Sequence, residues 1–228
     1  MCGRYSLTTP VEAVGRLFAV AERPNLPPRY NIAPSQEAPV VRTHEAGGRG
    51  LALMCWGLIP SWAKEARVGY KMINARAETV AQKPAFRTAL RHRRCLVPAD
   101  GFYEWRKLGK LRQPYRITLT DGGPFAFAGL WERWRAPDRQ LVESFTIITT
   151  EANRLLRPIH DRMPVILDAA DYEAWLDTGG IAPDEAARRL RPYPAAGLAA
   201  FPISTRINSP RNDDPACIVP LEGQAAAG

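Results

Sequence analysis

The chain has 228 residues, 46% of them hydrophobic, and a formal charge of +8 from 31 Lys and Arg against 23 Asp and Glu. That supports one large domain, or two at most, with no apolar run long enough to span a bilayer. The N-terminus reaches polar residues at once, as a signal peptide would not, so the expected compartment is a reducing cytoplasm.

The first element is Met1-Cys2-Gly3-Arg4. A small residue at position 2 normally lets the initiator methionine be removed, which would make Cys2 the mature N-terminus. Its amine and thiol, titrating near roughly 7.7–8.0 and 8.5, would then sit on one carbon. Such a 1,2-aminothiol condenses with an aldehyde to a Schiff base and closes to a thiazolidine. The other cysteines, Cys55, Cys95 and Cys217, lie far apart, with Cys55 and Cys95 in strand-like apolar stretches. His44, His92 and His160 show no ligand spacing, so neither a metal site nor a cofactor is expected. The pI near 9.6 is consistent with a polyanionic partner, although genomic base composition also inflates Arg, Ala and Pro.

Thr9-Pro10-Val11-Glu12 reads as a capped helix start, with Val11, Val14, Leu17 and Phe18 at helical spacing. Arg29 to Gln36 reads as a loop rich in hydrogen-bonding groups. Pro39 to Thr43 and Leu51 to Trp56 read as two strands joined at Gly47-Gly48. Trp56 and Trp62 flank a probable loop, where an exposed tryptophan could stack on a base. In an extended segment Asn74, Arg76 and Glu78 share one face: a ligand-facing set, or an internal salt-bridged cluster. Lys83 to Arg94 reads as a short basic helix with a solvated face.

Cys95 to Trp105 reads as strand, tight Asp100-Gly101 turn, strand. Glu104 lies there among aromatics, where desolvation would raise its pKa toward a proton-transfer role. Tyr115 to Leu119, Phe125 to Trp134 and Ser144 to Thr150 are further strands, and Glu151 to Arg157 a short helix. His160, in a loop stiffened by Pro158 and Pro164, is a candidate proton carrier or a structural histidine. Asp168 is expected to cap a helix bearing Tyr172, Trp175 and Leu176, and Pro183 to start another through Leu190. Ala199 to Ser204 and Ala216 to Pro220 are the last expected strands, with residues from about 221 onward frayed. No internal repeat and no linker divides the chain, so a single domain over 1–228 is expected.

Six stretches in order resemble the SRAP family, the SOS-response-associated peptidases that process abasic sites in DNA. They are Met1 to Tyr5, Tyr30 to Pro34, Trp56 to Trp62, Ile73 to Thr79, Gly101 to Trp105 and Ile159 to Pro164. The resemblance implies an α+β fold: one compact domain of curved, barrel-like antiparallel sheets with short flanking helices. It implies a thiazolidine crosslink between Cys2 and an abasic site in single-stranded DNA, with AP-lyase activity and autoproteolytic removal of Met1. It also implies roles: Asn74 holding the amine and sugar-derived atoms, Glu104 transferring protons, and His160 acting on the sugar hydroxyl. Arg4, Arg76 and Arg162 would grip phosphate, while Trp62, Trp105 and the loop through Asn31, Pro34 and Ser35 would shape the groove. A monomer without membrane or metal partners is expected.

Two alternatives remain. An N-terminal-nucleophile amidohydrolase also begins Met-Cys-Gly, but no Asn here precedes Gly and the Arg-Gly-Pro-Asp signature is absent. A non-catalytic single-strand-binding module would use the basic groove and tryptophans without Cys2.

Overall fold

The computed structural model describes residues 2–22, 24–44 and 47–221. The expectations about Met1 and about a frayed tail from residue 222 lie outside these residues. Strands β1 (Tyr5–Leu7), β2 (Arg29–Ile32), β3 (Glu37–Thr43), β4 (Arg49–Trp56), β5 (Asn74–Arg76), β6 (Arg94–Ala99) and β7 (Gly101–Leu108) occupy the first half. They are followed by β8 (Leu111–Leu119), β9 (Phe125–Arg135), β10 (Leu141–Glu151), β11 (Arg162–Pro164), β12 (Ile166–Leu167) and β13 (Leu198–Pro202). The fold is α+β, dominated by strands.

The apolar runs in β3, β4, β6, β9 and β10 close into a five-stranded barrel. β3 and β4 form the expected hairpin, with Thr43 opposite Arg49 and Glu37 opposite Cys55. β4 runs parallel to β10 at Cys55 and Ser144. β10 pairs with β9, β9 with β6, and β6 returns to β3 at Val41 and Leu96. Closure hides backbone edges that an open sheet would expose. Val41, Met54, Trp56, Phe127, Phe145 and Ile147 are buried in the core. Tyr5 reaches this core from outside the ring, edge-on to Trp56 and Phe127 with centroids 5.2 and 5.8 Å away.

A second sheet, ordered β13-β8-β7-β1-β2, packs beside the barrel. The expected strand, turn and strand from Cys95 to Trp105 are present, but the two strands lie in different sheets. β6 belongs to the barrel and β7 to the second sheet, so the turn carries the chain between sheets. The cause is Asp100, whose buried carboxylate ties down the end of β1 instead of a local turn. It accepts from Ser6 Oγ at 2.7 Å, from Thr8 N and Oγ1, and from Thr9 N at 2.9 Å, and it pairs with Arg116. A Cβ at Gly101 would lie 2.8 Å from Arg116 Nε, so the guanidinium in this cluster would have to shift to admit one.

The first helix keeps the extent of its sequence signal, while later ones are shorter or absent. α1 spans Val11–Phe18 with Pro10 at its N-cap, and Thr9 gives its hydroxyl to Asp100 rather than to the helix. α2 covers only Arg87–His92. Arg94, expected on a solvated face, is buried in β6 and donates to carbonyls of Leu90, Trp175, Asp177 and Ile181. Residues 151–157 form no helix: β10 runs to Glu151, and Asn153 Oδ1 accepts from Leu155 and Leu156 N–H in a turn. α3 (Tyr172–Leu176) follows a 3₁₀ turn without a side-chain cap from Asp168, whose carboxylate instead meets Arg191 at 3.3 Å. α4 stops at Ala187. The final strand expected at Ala216 to Pro220 is a 3₁₀ turn, Pro215–Cys217, and a single bridge between Ile203 and Pro220.

Candidate active site

Two separate chain segments, on β7 and β5, meet at Cys2, and a third carries His160. β1 pairs with β7 through Tyr5–Phe102 and Ser6–Gly101, and Tyr103 N donates to Arg4 O at 3.1 Å. That antiparallel register brings the Cys2–Gly3 segment alongside Glu104. β5 pairs in parallel with β10, Asn74 beside Ile147, and Asn74 Nδ2 donates to the carbonyl oxygen of Cys2 at 2.8 Å. Asn74 Oδ1 is buried with no hydrogen-bond partner among the described residues, leaving an acceptor pointed into the site. The third segment is the 154–159 turn, which ends at His160; its backbone N donates to Leu156 O at 2.9 Å.

Burial sets the chemistry of these groups. Cys2 is buried, and its thiol contacts Arg4 O at 3.8 Å. Burial, reinforced by the Glu104 carboxylate, pushes that thiol well above its ordinary range. Glu104 is also buried, and desolvation lifts its carboxyl to about 7, with the charge of Asp161 adding in the same direction. A carboxyl poised there exchanges protons in both directions at neutral pH. His160 is half-buried, and desolvation lowers its pKa. Its Nδ1 accepts from Arg162 N at 3.0 Å, which assigns the neutral ring's proton to Nε2. Asp161 Oδ1 also lies 3.0 Å from Nδ1, but that carboxylate stands in solvent and attracts a proton there only weakly.

The residues expected to meet DNA divide into two groups. Arg76 and Ser35 are exposed, Pro34 is half-buried, and Trp62 is 61% exposed. Ser35 adopts φ 69° while its N–H bonds Trp56 O at 2.8 Å, which fixes the bend of the loop. The others are engaged within the protein. Arg4 donates to Asn31 Oδ1 at 2.9 Å, Ile207 O at 2.7 Å and Asn208 O at 3.1 Å. Asn31 is buried, and its Nδ2 donates to carbonyls of Ile207, Ser209 and Asn212. These two side chains tie the start of the chain and β2 to residues 207–212 rather than present free donors. Trp105 is half-buried, with Nε1 bonded to Asn208 Oδ1 at 2.8 Å. Arg162 forms a bidentate pair with Glu78 at 2.6 and 3.0 Å and donates to Thr149 O at 2.7 Å. Glu78 thus leaves the face it was expected to share with Asn74 and Arg76, because β5 ends at Arg76.

Sequence reasoning missed Asp213, whose Oδ1 accepts from the backbone N–H of Tyr30 and Asn31 while its other oxygen pairs with Arg29. Nothing local in Asn212-Asp213-Asp214 signals a partner more than 180 residues away. Among the described residues, no cluster of three or more His, Cys, Asp or Glu could hold a metal ion, and no helix is long and apolar enough to cross a membrane.

Residues 1–210 match the family model described as SOS response associated peptidase, SRAP. The chain is 43% identical over 222 residues to the abasic site processing protein YoqW of Bacillus subtilis, covering 96% of this chain and 99% of that protein. It is 34% identical to the abasic site processing protein HMCES of Mus musculus, covering 97% of this chain and 76% of that one. A crystal structure of a protein from Bacteroides thetaiotaomicron superposes with a TM-score of 0.88 at 28% identity, over 96% of this chain and all of that one. The convergence at Cys2 therefore sits in a chain that belongs to the SRAP family.

Proposed function

We propose that this chain processes abasic sites in single-stranded DNA, and that Cys2, once Met1 is removed, joins the DNA as a thiazolidine. The observation that carries this reading is the Asn74 amide clasping the Cys2 carbonyl beside a carboxyl poised at about 7. The names of the relatives, abasic site processing proteins, support the substrate.

An abasic deoxyribose opens to an aldehyde. The Cys2 amine adds to its carbon, and loss of water gives the imine. The Cys2 sulfur then adds to the same carbon, its proton passing to the imine nitrogen as the five-membered ring closes. One water leaves overall and no redox partner is needed.

Each residue has a defined task. Asn74 holds the Cys2 carbonyl, and its Oδ1 accepts from the attacking amine. Glu104 takes the proton of the buried thiol and returns it to nitrogen or to the departing hydroxyl. His160, with its proton on Nε2, serves the sugar hydroxyl during Schiff-base formation and reversal. Strand cleavage by β-elimination would proceed from the imine, before the sulfur closes the ring. Self-processing at residue 1 would release the amine on which the sequence depends.

The test compares the processed chain with one carrying extra residues ahead of Cys2, on an oligonucleotide with one abasic site. The processed chain is expected to give an adduct that survives denaturation without borohydride; the extended chain, whose α-nitrogen is an amide, gives none. Equal yields would remove the Cys2 amine from the mechanism.

A further inference from the structure

The excursion between β4 and β5 is braced more firmly than a connecting loop requires. Gly57 and Gly69 pack backbone to backbone: a Cβ on Gly69 would lie 2.5 Å from Gly57 O, and one on Gly57 would lie 2.8 Å from Gly69 O. Leu58 N donates to Met72 O at 3.2 Å, and Met72 N to Gly69 O at 2.8 Å. Beneath the loop, Ile59, Ala63 and Trp134 form a small core of their own, with Val68 packed against it. Trp134 Nε1 donates to Ala63 O at 2.6 Å, and Ile59 N to Ser144 Oγ at 2.8 Å.

On this support two large aromatic side chains stand in solvent, Trp62 at 61% and Tyr70 at 68% exposure. Tyr70 lies in the 3₁₀ turn Ala66–Lys71. Residues three apart eclipse in such a turn, so Tyr70 shares a face with Arg67. Lys64, Arg67 and Lys71 are all exposed, with Glu65 the single acid among them in the sequence. Glu65 pairs with Arg67, Nε to Oε2 at 2.7 Å, leaving both lysine charges uncompensated within the segment. A rigid support, an exposed ring and local positive charge are the components of a single-strand stacking site. The segment leads directly into Asn74.

We propose that Tyr70 is a stacking platform for an unpaired base flanking the abasic nucleotide, with Lys64 and Lys71 meeting the adjoining phosphates. This rests on the reading of the chain as one that engages single-stranded DNA. The experiment titrates the full chain against an unmodified single-stranded oligonucleotide, which has no aldehyde, so affinity is read apart from crosslinking. Tyr70→Ala is expected to weaken binding by about 5- to 150-fold, the range for loss of one base–aromatic stack. Tyr70→Phe, which keeps the ring, is expected to retain it. Lys64→Ala and Lys71→Ala should each flatten the dependence of log K on log salt by about 0.7.

Unchanged affinity in Tyr70→Ala, an equal loss on duplex DNA where bases are not free to stack, or failure of Tyr70→Phe to rescue would each overturn the platform. A wild-type chain that binds the strand normally but never crosslinks to an abasic one would sink the role of Cys2 and leave the platform standing. Tyr70 makes little packing contact, so thermal melts of the variants should coincide with wild type.

Discussion

The side-chain amide of Asn74 donates to the main-chain carbonyl of Cys2 across 2.8 Å. One strand pairing, β5 on β10, thereby fixes the position of a residue just ahead of the chain's first strand. Replacing Asn74 by Ala removes the clasp and the buried acceptor together. A displacement of about 1 Å at a reacting centre can cost on the order of 10²-fold in rate, and a loss of that size is expected here. Single-turnover crosslinking at saturating abasic oligonucleotide measures it, and an unchanged rate would leave Asn74 with a purely architectural part.

Glu104 predicts two pH dependences. As the proton carrier, it should give the crosslinking rate an inflection near pH 7 that disappears in Glu104→Gln. For stability the sign runs the other way from a salt-bridged carboxylate. Burial raises its pKa from the ordinary 4.5 to about 7, so the folded state holds the proton more tightly than the unfolded chain. That contribution is fully present below about pH 4.5 and is lost as pH rises through about 7. The span corresponds to on the order of 3 kcal/mol. Urea unfolding of wild type and Glu104→Gln across this window should diverge as pH rises, with the Gln variant the more stable at pH 8. Parallel curves would show that the carboxyl ionises without penalty.

The Arg162–Glu78 pair sets up a competition. Arg162 holds Glu78 below the usual carboxylate range through its two hydrogen bonds, and a phosphate arriving at Arg162 must displace that partner. Glu78→Ala is expected to tighten binding of single-stranded DNA, while Arg162→Ala should make the slope of log K against log salt shallower by about 0.7. Fluorescence anisotropy over a salt series reads both. A Glu78→Ala chain with weaker binding would mean that the pair holds Arg162 in its binding position instead of masking it.

Asp100 is the most heavily hydrogen-bonded carboxylate in the passage between the sheets. Asp100→Ala would orphan two backbone N–H groups and leave Arg116 without its acid. Breaking a buried pair by removing one partner typically costs about 3–5 kcal/mol, and a loss of that order is expected in urea unfolding. A loss below about 1 kcal/mol, the worth of an exposed pair, would show that water replaces the carboxylate.

Much of the strand framework was legible because alternation and turn residues are local signals. The β3–β4 hairpin and the long strands β9 and β10 follow from them. Cys2, Asn74, Glu104 and His160 stood out by residue type and surroundings, although the meeting of the first three depends on pairings β1–β7 and β5–β10 that no local pattern states. The strand, turn and strand around Asp100-Gly101 were legible, but nothing local says that this turn leaves one sheet for another. Arg94 misled for another reason: four arginines close together read as solvated, yet one of them donates to four carbonyls, three of them in the distant 175–181 stretch. Arg4 was expected at phosphate and Asn31 in the loop shaping the groove, and their partners in 207–212 lie too far along the chain to be seen from sequence.

Those last partners make the neighbourhood of Cys2 a long-range assembly. Arg4 and Asn31 are anchored by Ile207, Asn208, Ser209 and Asn212. A segment far along the chain therefore braces the strands on which Cys2 depends. Deleting residues 205–213 should loosen that neighbourhood and slow the aldehyde chemistry proposed for Cys2, even with Cys2 itself intact.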